Sequence, residues 1–181
     1  MLSLDDNNWK ELNHRGWSNG GRSKSDLDAP YIPDELKLLL ENPYDLERFE
    51  YIAPYLSSEN TTWEAAYAAT PYIVEIAKRL SPKERTTYLI NIGFIVWDSA
   101  SNIEENNKIK PYLSDYKNAL SDALPLLLET VLEEHNAVDM RYLLATLAAL
   151  KGYSHLGEVI QALHYYTECP NCNNEIFELN E

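Results

Sequence analysis

The chain has 181 residues, 29 Asp and Glu against 15 Lys and Arg, and a formal net charge of −14. Its length suits one domain around one core, and its charge repels a phosphate backbone, so a basic protein is expected as partner and nucleic acid is not. No stretch reaches the roughly 20 apolar residues that span a bilayer, and no basic region followed by an apolar one opens MLSLDDNNWK, so a cytoplasmic location without a membrane partner is expected.

Asp5 to His14 has acids ahead of the Trp9/Leu12 pair, the makings of a short helix. Gly16 to Asp28 is polar and glycine-bearing and reads as a segment without regular structure. From Ile32 to Leu40, Pro33 stands near a helix start and Leu36, Leu39 and Leu40 recur at helical spacing. Asn42 and Pro43 stop that helix, and the next carries Leu46, Phe49, Ile52 and Ala53 on one face before Pro54 and Ser57 break it. Thr61 to Ala69 predicts a short alanine-rich helix. Thr70 is a good N-cap, Pro71 suits a first helical position, and Lys78 and Arg79 favour a last turn, which predicts a separate helix there. Ser81, Pro82 and Glu84 read as a capping box for a further helix. Its body, Tyr88 to Trp97, is apolar apart from Asn91 and Gly93, so it must be covered on most sides. Asp98 to Lys110 predicts an exposed loop. Pro111 to Glu134 is helical, with Pro125 either kinking one long helix or opening a shorter one capped near Ser121. Asn136 and Asp139 open a helix that ends at Lys151 and Gly152, and Ser154 caps the last one.

A repeat organises these elements. Shifting the chain by 54 positions lays Pro71 on Pro125, Glu75 on Glu129, Tyr88 on Tyr142 and Leu89 on Leu143. Helical hairpins that share a plan and lack another partner for their apolar faces stack on one another. The expected fold is therefore all-α, a short HEAT- or armadillo-like stack of antiparallel helical hairpins over residues 1–166. A small cysteine-knuckle appendage occupies 167–181. A compact bundle is the alternative.

Trp9, Leu12, His14 and Gly16, then Asp28, Pro30 and Leu36, then Tyr67, Ala69, Thr70 and Pro71 resemble bacterial HEAT-like repeat proteins, which open with W-x-x-L-x-H-x-x-G and carry an A-T-P helix start. The resemblance covers about the first hundred residues. It implies a protein-interaction scaffold, and some members resemble immunity proteins encoded beside toxins. Thr62, Trp63 and Glu64 stand where that pattern has its usual histidine and glycine.

Cys169-Pro-Asn-Cys172 matches one knuckle of a zinc ribbon, since the turn sets both sulfurs on one side of a tetrahedral ion. Zinc there needs further ligands, from His155 or His164 or from the same pair on a second chain, which would make a homodimer through the tail. Free thiols or a local redox pair are the other readings. Gly152, Ser154 and Gly157 miss the hydrolase elbow by one residue and join two helices. Asn19-Gly20-Gly21-Arg22 lacks the Lys and Ser/Thr of a phosphate loop. The remaining clue is aromatic: 13 tyrosines and 4 tryptophans exceed what a few helical layers need. Trp17, Tyr31, Trp63 and Tyr67 lie beside loops or helix starts, where large rigid rings serve interfaces or pack a core. The leading expectation is a non-enzymatic protein-binding module for a basic partner. A helical-repeat enzyme or nucleic-acid repair protein is the competing class, and a homo-oligomer joined by the tail the third.

Overall fold

Side-chain N-caps open two α-helices among the described residues, those starting at Leu46 and Ala137. The computed structural model describes residues 1–18, 21–22, 29–58, 61–99 and 103–162. Helix α1 (Ile32–Glu41) has Pro33, Asp34 and Glu35 in its first turn, where a missing N–H is harmless and negative charge suits the dipole. Helix α2 (Leu46–Leu56) starts at Asp45, whose carboxylate accepts from the Arg48 N–H at 3.1 Å. Of the expected stripes, Leu36 and Leu39 on α1 and Phe49, Ile52 and Ala53 on α2 are buried, while Leu40 and Leu46 are half-buried. Pro54 does not break α2; it sits inside the helix on the solvent side, and Glu50, whose carbonyl the ring frees, is exposed as well.

Two further expectations give way. The segment after Gly16 forms a hairpin of two-residue strands, β1 (Trp17–Ser18) and β2 (Gly21–Arg22), and a second such hairpin, β3 (Ser57–Ser58) with β4 (Thr61–Thr62), follows α2. Helix α3 (Glu64–Ala77) then runs unbroken through Thr70 and Pro71, which are interior residues and neither cap nor first position. Thr70 Oγ1 donates to the Ala66 carbonyl at 2.8 Å instead. An interior proline costs a helix about 3 kcal/mol, but every residue from Ala65 to Val74 is buried, so packing of both flanks outweighs it.

The turn at Ser81 is tied by Glu84, whose carboxylate accepts from the Ser81 N–H at 3.0 Å and the Ser81 hydroxyl at 2.7 Å. Helix α4 (Thr86–Trp97) begins one turn later than the capping-box reading has it. The interval from Asp98 to Lys110 is not simply exposed: it contains a 3-10 turn and buries Ile109. Helix α5 (Leu113–Glu133) is one long helix with Pro125 inside. Helix α6 (Ala137–Leu150) starts at Asn136, whose Oδ1 accepts from Val138 and Asp139. It ends at Gly152, where φ is +83° and a side chain would be strained. Helix α7 (Ser154–Ala162) follows.

Helices α1, α3 and α5 pack in sequence as one layer, α2, α4 and α6 as the other, and α7 lies on α6. Tyr88 of α4 stacks on Phe49 of α2 with centroids 4.1 Å apart, and Tyr142 of α6 meets Phe94 of α4 edge-on at 5.9 Å. Both tyrosines thus face back onto an aromatic ring of the preceding even-numbered helix. The α4–α6 approach is close enough that a Cβ on Gly93 would lie 2.1 Å from Thr146 Oγ1.

Candidate functional site

The aromatic residues singled out in the sequence do not form one exposed patch. Tyr67 is 1% exposed and packs edge-on against Tyr116 at 5.1 Å. Trp63 is half-buried at the N-cap of α3, and its backbone N–H donates to the Leu56 carbonyl at 2.9 Å. Tyr31 is half-buried at the start of α1 against the core. Trp17 has its backbone in β1, and its side chain lies outside the described residues. Cys169, Cys172 and His164 also lie outside them, while His155 is exposed on α7. Gly157 serves packing: a Cβ there would meet Trp97 Nε1 at 2.4 Å.

Trp63 and Tyr67 lead to a cleft of about 420 Å³ lined by Thr62, Glu64, Tyr67, Ile103, Asn106 and Ile109. Its polar groups are committed to the fold. Glu64 accepts from the Asn13 N–H at 3.0 Å, from Lys108 Nζ at 3.4 Å and from the Asn106 amide at 3.4 Å, tying three segments together. Thr62 donates to the Ile95 carbonyl at 2.8 Å.

A second cleft, about 460 Å³, opens where the start of α4, the end of α5 and the start of α6 meet. Thr86, Thr130, Glu133, Glu134, Asp139 and Lys83 line it. Glu134 follows the last turn of α5, and its carboxylate accepts from the backbone N–H groups of His135 at 2.8 Å and Asn136 at 2.7 Å. The Asn136 bond leads the contributions that hold this carboxyl below the usual carboxylate range. Asp139 is pushed the other way, by burial first and then by the charge of Glu134. On the wall beneath, Arg85, only 4% exposed, donates to Thr130 Oγ1 at 2.9 Å and pairs with Glu129 at 2.6 Å. The side-chain oxygens of Glu133 and Asp139 make no hydrogen bond or ion pair among the described residues. The chain matches no family model, no curated protein and no solved structure.

The walls of the second cleft therefore carry three carboxylates against one lysine and His135. That balance favours a cation, and a guanidinium or ammonium head entering beside Asp139 would relieve the repulsion from Glu134. Among the described residues, no three His, Cys, Asp or Glu side chains are grouped so as to hold a metal ion, and no helix is long and apolar enough to cross a membrane. The sequence suggests a solvated helix end for Glu133 and Glu134; Glu133 is exposed there and Glu134 half-buried. The signal for the cleft is the crowding of acids on both sides of a very short connection, Glu133 and Glu134 before it and Asp139 after it, and all three line the cleft.

Proposed function

We propose that this chain is a non-enzymatic protein-interaction module, built as a short HEAT- or armadillo-like stack, that binds a basic partner through the acidic cleft between α4, α5 and α6. The observation carrying this reading is the pairing of Asp139, its carboxyl pushed up by burial and by a like charge, with Glu133, another carboxylate lacking a partner among the described residues, at the mouth of the same cleft. A protein usually offsets such crowding with a cation of its own. Here Arg85, at the start of α4, is committed to Thr130 and Glu129. The net charge of −14 adds a long-range field that speeds the approach of a basic surface. The two helical layers and the repeat at 54 positions support the stacked architecture. The resemblance to HEAT-like scaffolds, some of them similar to immunity proteins, supports a protein as the partner.

The test is calorimetric titration of the whole protein with an oligo-arginine peptide, alongside the Glu133→Gln/Asp139→Asn double variant. The parent should bind, more weakly as salt rises, and the variant should lose about fivefold or more in affinity, the weight of one desolvated charge pair. Equal binding by both proteins would remove the cleft from the account.

A further inference from the structure

The repeat carries a second message, about the outer side of α5. Two contacts fix which face of α3 looks toward α5: Tyr67 packs on Tyr116, and Lys78 Nζ pairs with Asp122 at 2.9 Å. Tyr67, Pro71, Val74 and Lys78 fall on one stripe at the spacing of a helix, and the first three are buried. The residues 54 positions further on are Ser121, Pro125, Leu128 and Leu132 of α5, and all four are exposed. Val74 is 1% exposed, whereas Leu128 is 46% and Leu132 83% exposed. The opposite face keeps phase: Ala69, Ile73 and Ile76 on α3, and Ala123, Leu127 and Thr130 on α5, are all buried. So α5 presents the face on which α3 receives its neighbour, with leucines on it and no helix against it among the described residues.

We infer that this face is a docking surface for an amphipathic helix of a basic partner protein, seated on α5 as α5 is seated on α3. Charge selects this occupant. Asp122, Glu129 and Glu133 recur down one flank of the stripe at the spacing of a helix. Lys78 and Arg85 already pair with the first two and Glu133 stays open, so beside it, and in the field of a chain with net charge −14, the incoming helix needs an apolar stripe edged by Lys or Arg. A second copy would bring another −14 against the first. The chain's own residues 163–181 carry four glutamates and neither lysine nor arginine, so they do not complement an acidic flank. The inference rests on the basic-partner reading above and adds what the partner must be: a helix with its own leucine-like anchors.

The probe is a synthetic helix with a leucine stripe flanked by lysines, together with a twin in which glutamates replace the lysines. Fluorescence anisotropy against the full chain at physiological ionic strength should show binding of the lysine peptide only. The Leu128→Gln/Leu132→Gln variant should bind it about tenfold more weakly or less, as loss of central apolar anchors does. Unchanged affinity in that variant overturns the docking face; if Glu133→Gln/Asp139→Asn still abolishes binding, the basic-partner reading survives without it. A concentration-dependent dimer of the parent, seen by sedimentation and lost in the leucine variant, overturns the proposal in favour of a second copy. A thermal midpoint lower in the leucine variant by more than about 4 °C without peptide would mean that the chain already covers the stripe, and overturns it as well.

Discussion

Helices α3 and α5 share a plan at a distance of 54 positions, with Pro71 matched by Pro125 and Glu75 by Glu129, yet α3 is enclosed and α5 is bare on one side. The difference lies in what comes next along the layer. Helix α3 has α1 before it and α5 after it, while α5 packs on α3 with no further odd-numbered neighbour among α1 to α6. Composition follows coverage. The enclosed helix is rich in alanine, which lets helices approach closely, and the half-covered one carries leucine where its outer side meets solvent.

The largest effects should come where the two helices agree. Ile73→Ala and Leu127→Ala remove side chains fully buried at matching positions, and each should cost about 2–5 kcal/mol in urea unfolding. If only one of them does, the shared plan is broken. Gly93→Ala comes next. Its methyl would press on Thr146, costing about 1–3 kcal/mol, and Thr146→Gly in the same chain should restore part of the loss. The position matching Gly93 on α6 is Leu147, so a glycine is present only where the following helix of that layer arrives at close range.

The glutamates at 75 and 129 sharpen the contrast at lower energy. Glu129 balances a guanidinium that is 4% exposed, but is itself 63% exposed and partly screened, so Glu129→Gln should cost about 1–2 kcal/mol. Glu75 pairs with the more open Lys78 at 2.6 Å, and Glu75→Gln should fall within about 0.5 kcal/mol of the parent. Double-mutant cycles with Arg85→Met and Lys78→Met isolate each pair.

A pH-dependent effect concerns the tyrosines at 88 and 142. Tyr88 donates to the Pro43 carbonyl at 2.8 Å, and burial, aided by the charge of Asp45, pushes its phenol up to about 12 from 10.0. A group that ionises sooner in the unfolded chain gives stability below its ordinary value and loses it as pH climbs toward the folded value. Stability should therefore decline between pH 10.0 and about 12. Tyr88→Phe should lose about 1 kcal/mol at neutral pH, the worth of one hydrogen bond, and flatten that decline. Tyr142→Phe should leave both unchanged within error, as checked by thermal melts across the pH range.

Much of this architecture was legible in the sequence. The apolar stripes of α1 and α2, the Asn136 cap and the Gly152 stop are local signals, read at short range and strong enough to prevail. Two prolines misled. Pro54 and Pro71 each suggest a boundary by local propensity, yet both lie inside helices, whereas Pro125 takes the first of its two readings, inside one long helix. For Pro71 the deciding term was burial of the residues on both sides of it, a tertiary quantity that no window of sequence contains. The acidic cleft was hidden for a related reason. Thr86 reaches it from α4, more than forty positions before Thr130, Glu134 and Asp139, and only the packing of α4 against α5 and α6 brings them to one mouth. Trp63 and Tyr67 were visible as aromatic residues near a helix start, but whether such a ring faces solvent or another ring depends on Tyr116, far along the chain.

The central claim is that α5 exposes the face that α3 buries, and the most direct measurement compares Val74→Ala with Leu128→Ala by urea unfolding of the full chain. Valine loses fewer carbons than leucine, so equal coverage would make the leucine substitution the costlier. The account predicts the reverse: about 1–3 kcal/mol at Val74 and less than about 1 kcal/mol at Leu128. A larger loss at Leu128 than at Val74 would contradict it.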